Sequence, residues 1–143
     1  MEPFKHRNLD RTGHVRHAMD TILIVEPDIL ARFPLAEFLR ECGYAVLEAS
    51  DQQEARMLLE GSGRQVDVVL VDVSDNHGQG FEFAKWAGQF REGLQVIRAG
   101  TVSREVEAAR RLCAEKDVTK PYDHDSVRNL IASLLAARER SEA

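Results

Sequence analysis

The sequence predicts an α/β fold in which a parallel sheet of five strands carries helices on both faces. Three observations predict it. From residue 21 onward, short apolar runs rich in β-branched residues alternate with longer stretches whose apolar residues recur at helical spacing. The apolar runs are nearly continuous, as in strands buried on both faces, rather than alternating with polar residues. Turn and capping residues stand at the junctions, where a strand gives way to a helix or a helix must stop.

Taken in order, residues 1–20 (MEPFKHRNLDRTGHVRHAMD) mix charge, histidine and turn formers without a sustained apolar period, which predicts a flexible N-terminal extension. The domain is expected over 21–139, with 140–143 as a short C-terminal tail. Its strands are predicted at 21–25 (TILIV), 44–48 (YAVLE), 67–71 (DVVLV), 94–98 (LQVIR) and 116–119 (KDVT). Helices are predicted at 28–42, 51–60, 80–91, 103–114 and 124–139. Gly43 stands where a C-terminal cap belongs, and Ser50 with Gln53 has the spacing of a capping box. Asp123 is a good N-cap ahead of the apolar stripe Val127, Leu130, Ile131, Leu134 and Leu135. Pro34 lies inside the first helix, where it removes a backbone donor and crowds the preceding turn, so a kink is expected near Arg32 and Phe33.

With 143 residues, 43% of them hydrophobic and 30% charged, the chain is expected to bury a single core. A net charge of -5 argues against unspecific attraction to nucleic acid or anionic membrane, both of which reward clustered Lys and Arg. Neither direct DNA binding nor a membrane partner is therefore expected. Cys42 and Cys113 are too few for a disulfide framework and lack zinc-site spacing, so both read as reduced thiols of a cytoplasmic protein. No apolar run approaches the roughly 18 residues that span a bilayer, and the first residues carry no secretory-type apolar region. Dinucleotide-binding, P-loop and nucleophile-elbow motifs are absent from the sequence.

Open α/β sheets bind ligands beyond the carboxyl ends of their strands, so the residues there are read together. They are Glu26-Pro27-Asp28, Asp72-Val73-Ser74, Gly100-Thr101 and Lys120-Pro121. The fold would gather acids and one lysine, separated by nearly a hundred residues, at one edge. Crowded carboxylates repel, and a hard divalent cation such as Mg2+ with a lysine offsets that cost. Such a cluster is suited to hold a metal and to expose one carboxylate as a nucleophile toward phosphorus.

In combination, and in this order and spacing, ILIVE, VVLVDVSDNHGQGFEF and VTKPYD resemble the receiver domain of bacterial two-component response regulators (CheY-like). The resemblance covers roughly residues 20–138. It implies a (βα)5 doubly wound, flavodoxin-like, three-layer fold and a stand-alone receiver in phosphorelay signal transduction rather than an enzyme. By the same resemblance Asp72 matches the phosphoacceptor and Lys120 the lysine that contacts the phosphoryl group. Glu26 matches the first acidic metal ligand, Ser74 the position whose backbone carbonyl completes metal binding, and Lys120–Pro121 a bond that is typically cis. The implied cofactor is Mg2+. The implied partners are a histidine kinase or phosphotransfer protein and a downstream protein that docks on the fourth helix, fifth strand and fifth helix; a homodimer is left open. Few residues follow 140, so the signal is expected to leave by protein contact.

Three positions depart from the family pattern. Pro27 replaces the second acid, Gly100 the threonine or serine hydroxyl, and Asp117 the tyrosine or phenylalanine that swings inward. A register shifted by one would put Thr101 at the hydroxyl position, but it would displace the apolar pattern of the strand. Pro27 is expected at the first helical position, where no backbone donor is needed. Its lack of charge predicts Mg2+ bound weakly or not at all, with Asp28 as a further candidate ligand. The expected function is a receiver with Asp72 as acceptor and impaired switching; the alternative is a phosphorylation-independent pseudo-receiver acting as a protein-protein interaction module.

Overall fold

The structure is a computed structural model that describes residues 7–9, 15–17, 19–61, 65–75, 77–101 and 116–142. The chain order is β1 Arg7–Leu9, β2 Val15–His17, β3 Thr21–Val25, α1 Ile29–Glu41, β4 Ala45–Ala49, α2 Gln52–Gly61, β5 Val68–Asp72, α3 Gln79–Gly88, β6 Gln95–Gly100, β7 Asp117–Thr119 and a last helix, α4, His124–Glu142. The helix predicted at 103–114 lies outside the described residues.

Five of the strands form one parallel sheet in the order β4-β3-β5-β6-β7. Side chains along a strand alternate between faces, and the core divides accordingly. On one face Ile22, Ile24, Val68, Leu70 and Ile97 pack with Leu35, Ala36 and Leu39 of α1 and with Val127, Ile131 and Leu135 of α4. On the other, Leu23, Val25, Val69 and Val71 pack with Ala55 of α2 and with Phe83, Ala84 and Ala87 of α3. Every residue of β3 and β5 is buried, which is why both read as unbroken apolar runs. Three layers result, as the sequence predicts.

Several local expectations are met and others move by a residue. Gly43 adopts φ 104° and its N–H donates to the Arg40 carbonyl, closing α1 as expected. The box that starts α2 is Asp51 with Glu54, one step beyond Ser50 and Gln53: Asp51 Oδ1 accepts from Glu54 N, and Glu54 Oε1 accepts from Ser50 N. Asp28, not Pro27, caps α1, because its Oδ1 accepts the Leu30 N–H at 2.9 Å. Pro27 therefore stands before the cap rather than at the first helical position. α1 runs through Pro34, and the Leu30 carbonyl forgoes the donor that any other residue at 34 would supply.

Two ends of the chain differ from the expected outline. Within the 1–20 extension, β1 and β2 pair antiparallel as a sheet of their own, with Arg7 opposite His17. At the other end α4 continues into the expected tail as far as Glu142. Arg138 helps fix that helix to the sheet through Asp67 Oδ1 at 2.9 Å and Asp20 Oδ1 at 3.5 Å, while Asp67 Oδ2 accepts the first backbone N–H of β3. Among the described residues no helix is long and apolar enough to cross a membrane.

Candidate functional site: an acid pocket at the carboxyl edge of the sheet

The register brings the predicted residues together. Val25 pairs with Val71, Asp72 with Ala99, and Gly100 with Thr119, so the chain leaves β3, β5, β6 and β7 side by side. Backbone bonds extend these ladders past the strands: Glu26 N donates to Ala49 O, Val73 N to Ala99 O and Lys120 N to Gly100 O. Glu26, Asp72 and Lys120 are thus held by main chain before their side chains interact.

Two carboxylates are buried here, Glu26 at 1% exposure and Asp72 at 8%, a costly arrangement unless charge and hydrogen bonds offset it. Lys120 supplies the charge. Its ammonium lies 2.8 Å from Glu26 Oε1 and 3.2 Å from Asp72 Oδ1. Burial by itself would lower the Lys120 pKa, but the hydrogen bond and charge of Glu26, with the charge of Asp72, outweigh it and hold the group above its ordinary value. Lys120 is cationic at any pH near neutrality. The Lys120–Pro121 peptide bond is cis, as the family resemblance implies.

Tyr122 is a member of the pocket that sequence reasoning missed. Its hydroxyl donates to Glu26 Oε1 at 2.7 Å across 96 positions of sequence. Burial, then the hydrogen bond and charge of Glu26, push the phenol far above its usual range, so it stays a donor. The signal was present but faint: a tyrosine in a segment that packs on the core needs a partner for its hydroxyl. Glu26 Oε1 thus has a donor for each of its lone pairs, while Oε2 accepts the Asp28 N–H at 3.1 Å. Arg32, also unforeseen, braces the same turn by donating to the Glu26 carbonyl at 2.7 Å and to Glu48 Oε1 at 2.9 Å.

Asp72 is held asymmetrically. Oδ1 accepts from Ser74 Oγ at 2.5 Å, Ser74 N at 3.3 Å and Lys120 Nζ at 3.2 Å. Among the described residues, no such partner falls on Oδ2. The helix that follows is started by Asp75, whose two oxygens accept the N–H groups of Gln79 and Gly80 at 2.9 Å each. Those bonds, led by Gly80, hold the Asp75 carboxyl below its ordinary value. Gly80 has no space for a side chain, because a Cβ would overlap the Asp72 carbonyl oxygen and lie 2.8 Å from Val73 Cα.

The remaining candidates sit apart from the acid pair. Asp28 is exposed and its Oδ1 is engaged as a helix cap. Gly100 faces the turn after β5, where an added Cβ would lie 3.8 Å from Ser74 Cβ. Thr101 is exposed. Asp117 is paired with Arg98, Oδ1 at 2.8 Å and Oδ2 at 3.2 Å, so β6 and β7 are joined by an ion pair where the family places a mobile aromatic. Among the described residues no three His, Cys, Asp or Glu side chains converge as a metal cluster. The donor chemistry nevertheless suits Mg2+, which often uses only one or two carboxylates and keeps several waters.

Comparison with known proteins agrees with the fold. The family described as the response regulator receiver domain matches residues 22–132. The transcriptional regulatory protein PdtaR of Mycobacterium tuberculosis is 35% identical over 121 residues, which cover 83% of this chain and 57% of that protein. The chain thus spans little more than half the length of this relative. A CheY-like receiver domain protein from Methanospirillum hungatei superposes with a TM-score of 0.72 at 23% identity, covering 87% of this chain and 99% of that one. The N-terminal domain of a response regulator/sensory box/GGDEF protein from Carboxydothermus hydrogenoformans gives a TM-score of 0.69 at 25% identity, covering 87% and 100% respectively.

Proposed function

The chain belongs to the family of response regulator receiver domains, and from that premise we propose that it serves two-component signal transduction by accepting a phosphoryl group on Asp72, with weakened switching. One observation carries the reading. The donors to Asp72 converge on Oδ1, while Oδ2 has no hydrogen bond or ion pair among the described residues. A carboxylate fixed through one oxygen presents the other as the nucleophile.

In the proposed step Oδ2 attacks the phosphorus of a phosphohistidine on a histidine kinase or phosphotransfer protein. The new O–P bond forms as the P–N bond breaks, and its electron pair returns to the imidazole. Lys120 remains between Glu26 and Asp72 and is placed to offset charge gathered on the phosphoryl oxygens. Glu26, Asp72 and the Ser74 carbonyl would hold Mg2+, which when bound supplies further neutralisation of those oxygens. Ser74 Oγ already donates to Asp72 and occupies part of the role left by the missing hydroxyl at Gly100. Output would leave through β7 and α4, together with the helix expected at 103–114.

A second reading, an interaction module that works without phosphate, is favoured by the Arg98–Asp117 pair and by the three donors already on Glu26. Incubation with a small phosphodonor across a Mg2+ series, followed by intact mass, separates the two. A single adduct that requires Mg2+ and disappears in Asp72→Ala is the expected result. No adduct at any Mg2+ concentration establishes the second reading.

A further inference from the structure

We infer that Tyr122 competes with a divalent cation for Glu26 and that its departure from this carboxylate reports the loading of the pocket to α4. The inference rests on the assignment of Glu26 and Asp72 as cation ligands and gives Tyr122 a role in that site.

The argument starts from capacity. Glu26 Oε1 accepts from both the Tyr122 hydroxyl, at 2.7 Å, and the Lys120 ammonium, at 2.8 Å, and Oε2 accepts from the Asp28 N–H at 3.1 Å. A cation at Glu26 needs lone pairs directed at itself and repels the positive ends of O–H and N–H dipoles. Lys120 can stay near the site, because it also bonds Asp72 at 3.2 Å, where a phosphoryl group would offer it new partners. For Tyr122, Glu26 is the side chain that receives its hydroxyl among the described residues. Both lone pairs of Oε1 are taken, so the phenol is the donor that a cation seated on Oε1 would displace.

Displacement has somewhere to go. Tyr122 follows β7 by three residues and precedes α4 by two, and its ring packs against the core cluster that includes Val127, Ile131 and Leu135 of α4. A shift of the ring changes the packing at the start of α4. Asp117 leaves β7 without the usual mobile aromatic, so Tyr122 supplies the link from acid pocket to helix at a different position.

The test is an NMR titration of the full chain with MgCl2 alone, without a phosphodonor, on the parent, Tyr122→Phe and Tyr122→Leu. Loss of a hydrogen bond to a charged group predicts Mg2+ binding tighter by about tenfold or more in Tyr122→Phe. In the parent, Mg2+ should move the ring signals of Tyr122 and the amides of residues 122–127 along with those of Glu26 and Asp72. Tyr122→Leu serves as the check that any gain reflects the hydroxyl and not the ring, and it should bind Mg2+ at least as tightly as the parent. Equal or weaker binding by Tyr122→Phe, or no binding by any of the three, overturns the inference. An Mg2+-dependent phosphate adduct on Asp72 with unchanged affinity in Tyr122→Phe would overturn the inference alone and leave the acceptor assignment standing.

Discussion

At Gly100 an added Cβ would lie 3.6 Å from Val73 Cγ2 and 3.8 Å from Ser74 Cβ, ordinary van der Waals distances, so the strand end accepts a Cβ there. Gly100→Thr should fold with little change in melting temperature and should raise the yield or lifetime of the Asp72 adduct by about tenfold, the value of one hydrogen bond to a charged group. Intact mass followed over time measures this; a lifetime equal to the parent's would mean that Ser74 already fills the role. Asp75 shows a different dependence on a single residue. Its carboxylate anchors the start of α3, and Asp75→Ala should cost about 1 kcal/mol at neutral pH, as loss of a helix cap does. Because the folded pKa is depressed, this contribution is present above the unfolded value of about 4 and is lost as pH falls through the lower folded value. Urea unfolding of both proteins should therefore show a gap at pH 7 that narrows near pH 3, and a gap that stays constant would remove Asp75 as the cap.

The elements were legible because their signals are periodic and summed over many residues, whereas their ends depend on single hydrogen bonds. Thr21–Val25 falls where the apolar run predicts it, but β4, β5 and β6 each begin one residue later than expected. That difference matters at the site, since Asp72 and Gly100 become the last residues of their strands and inherit the precision of the ladder. The predicted helix at 80–91 stops at Gly88, after which Gln89 and Phe90 bond back to Trp86 and Ala87 as a turn. Pro34 tests how an element tolerates a local misfit. It is exposed and inside α1, so Pro34→Ala restores a donor to the Leu30 carbonyl without opening a cavity. Proline is disfavoured by about 3 kcal/mol relative to alanine in a helix interior, and a third of that gain would raise the melting temperature by about 3 °C. A calorimetric scan checks it, with an unchanged or lower value showing that the surroundings have adapted to the proline.

Across the whole molecule, Glu26, Asp72 and Lys120 could be read together because their convergence follows from strand order alone. Tyr122 could not, for its partner lies 96 residues away and only packing decides that its hydroxyl reaches Glu26. On the proposed function the same pocket would couple metal to global stability. It contains two buried carboxylates bridged by one lysine, with a phenol on Glu26, and Pro27 adds no charge. Unit charges 4 Å apart interact by about 4 kcal/mol at an effective dielectric of 20, before desolvation reduces the net effect. Pro27→Asp should therefore strain the pocket when it is metal-free, by placing like charge beside Glu26 and Asp72, although the N-terminus of α1 offsets part of that cost. A cation held at the proposed site stabilises the folded state, so Mg2+ should stabilise the variant more than the parent. In thermal melts across a Mg2+ series the variant should start lower and rise further. Equal slopes for the two proteins would mean that position 27 does not reach the cation.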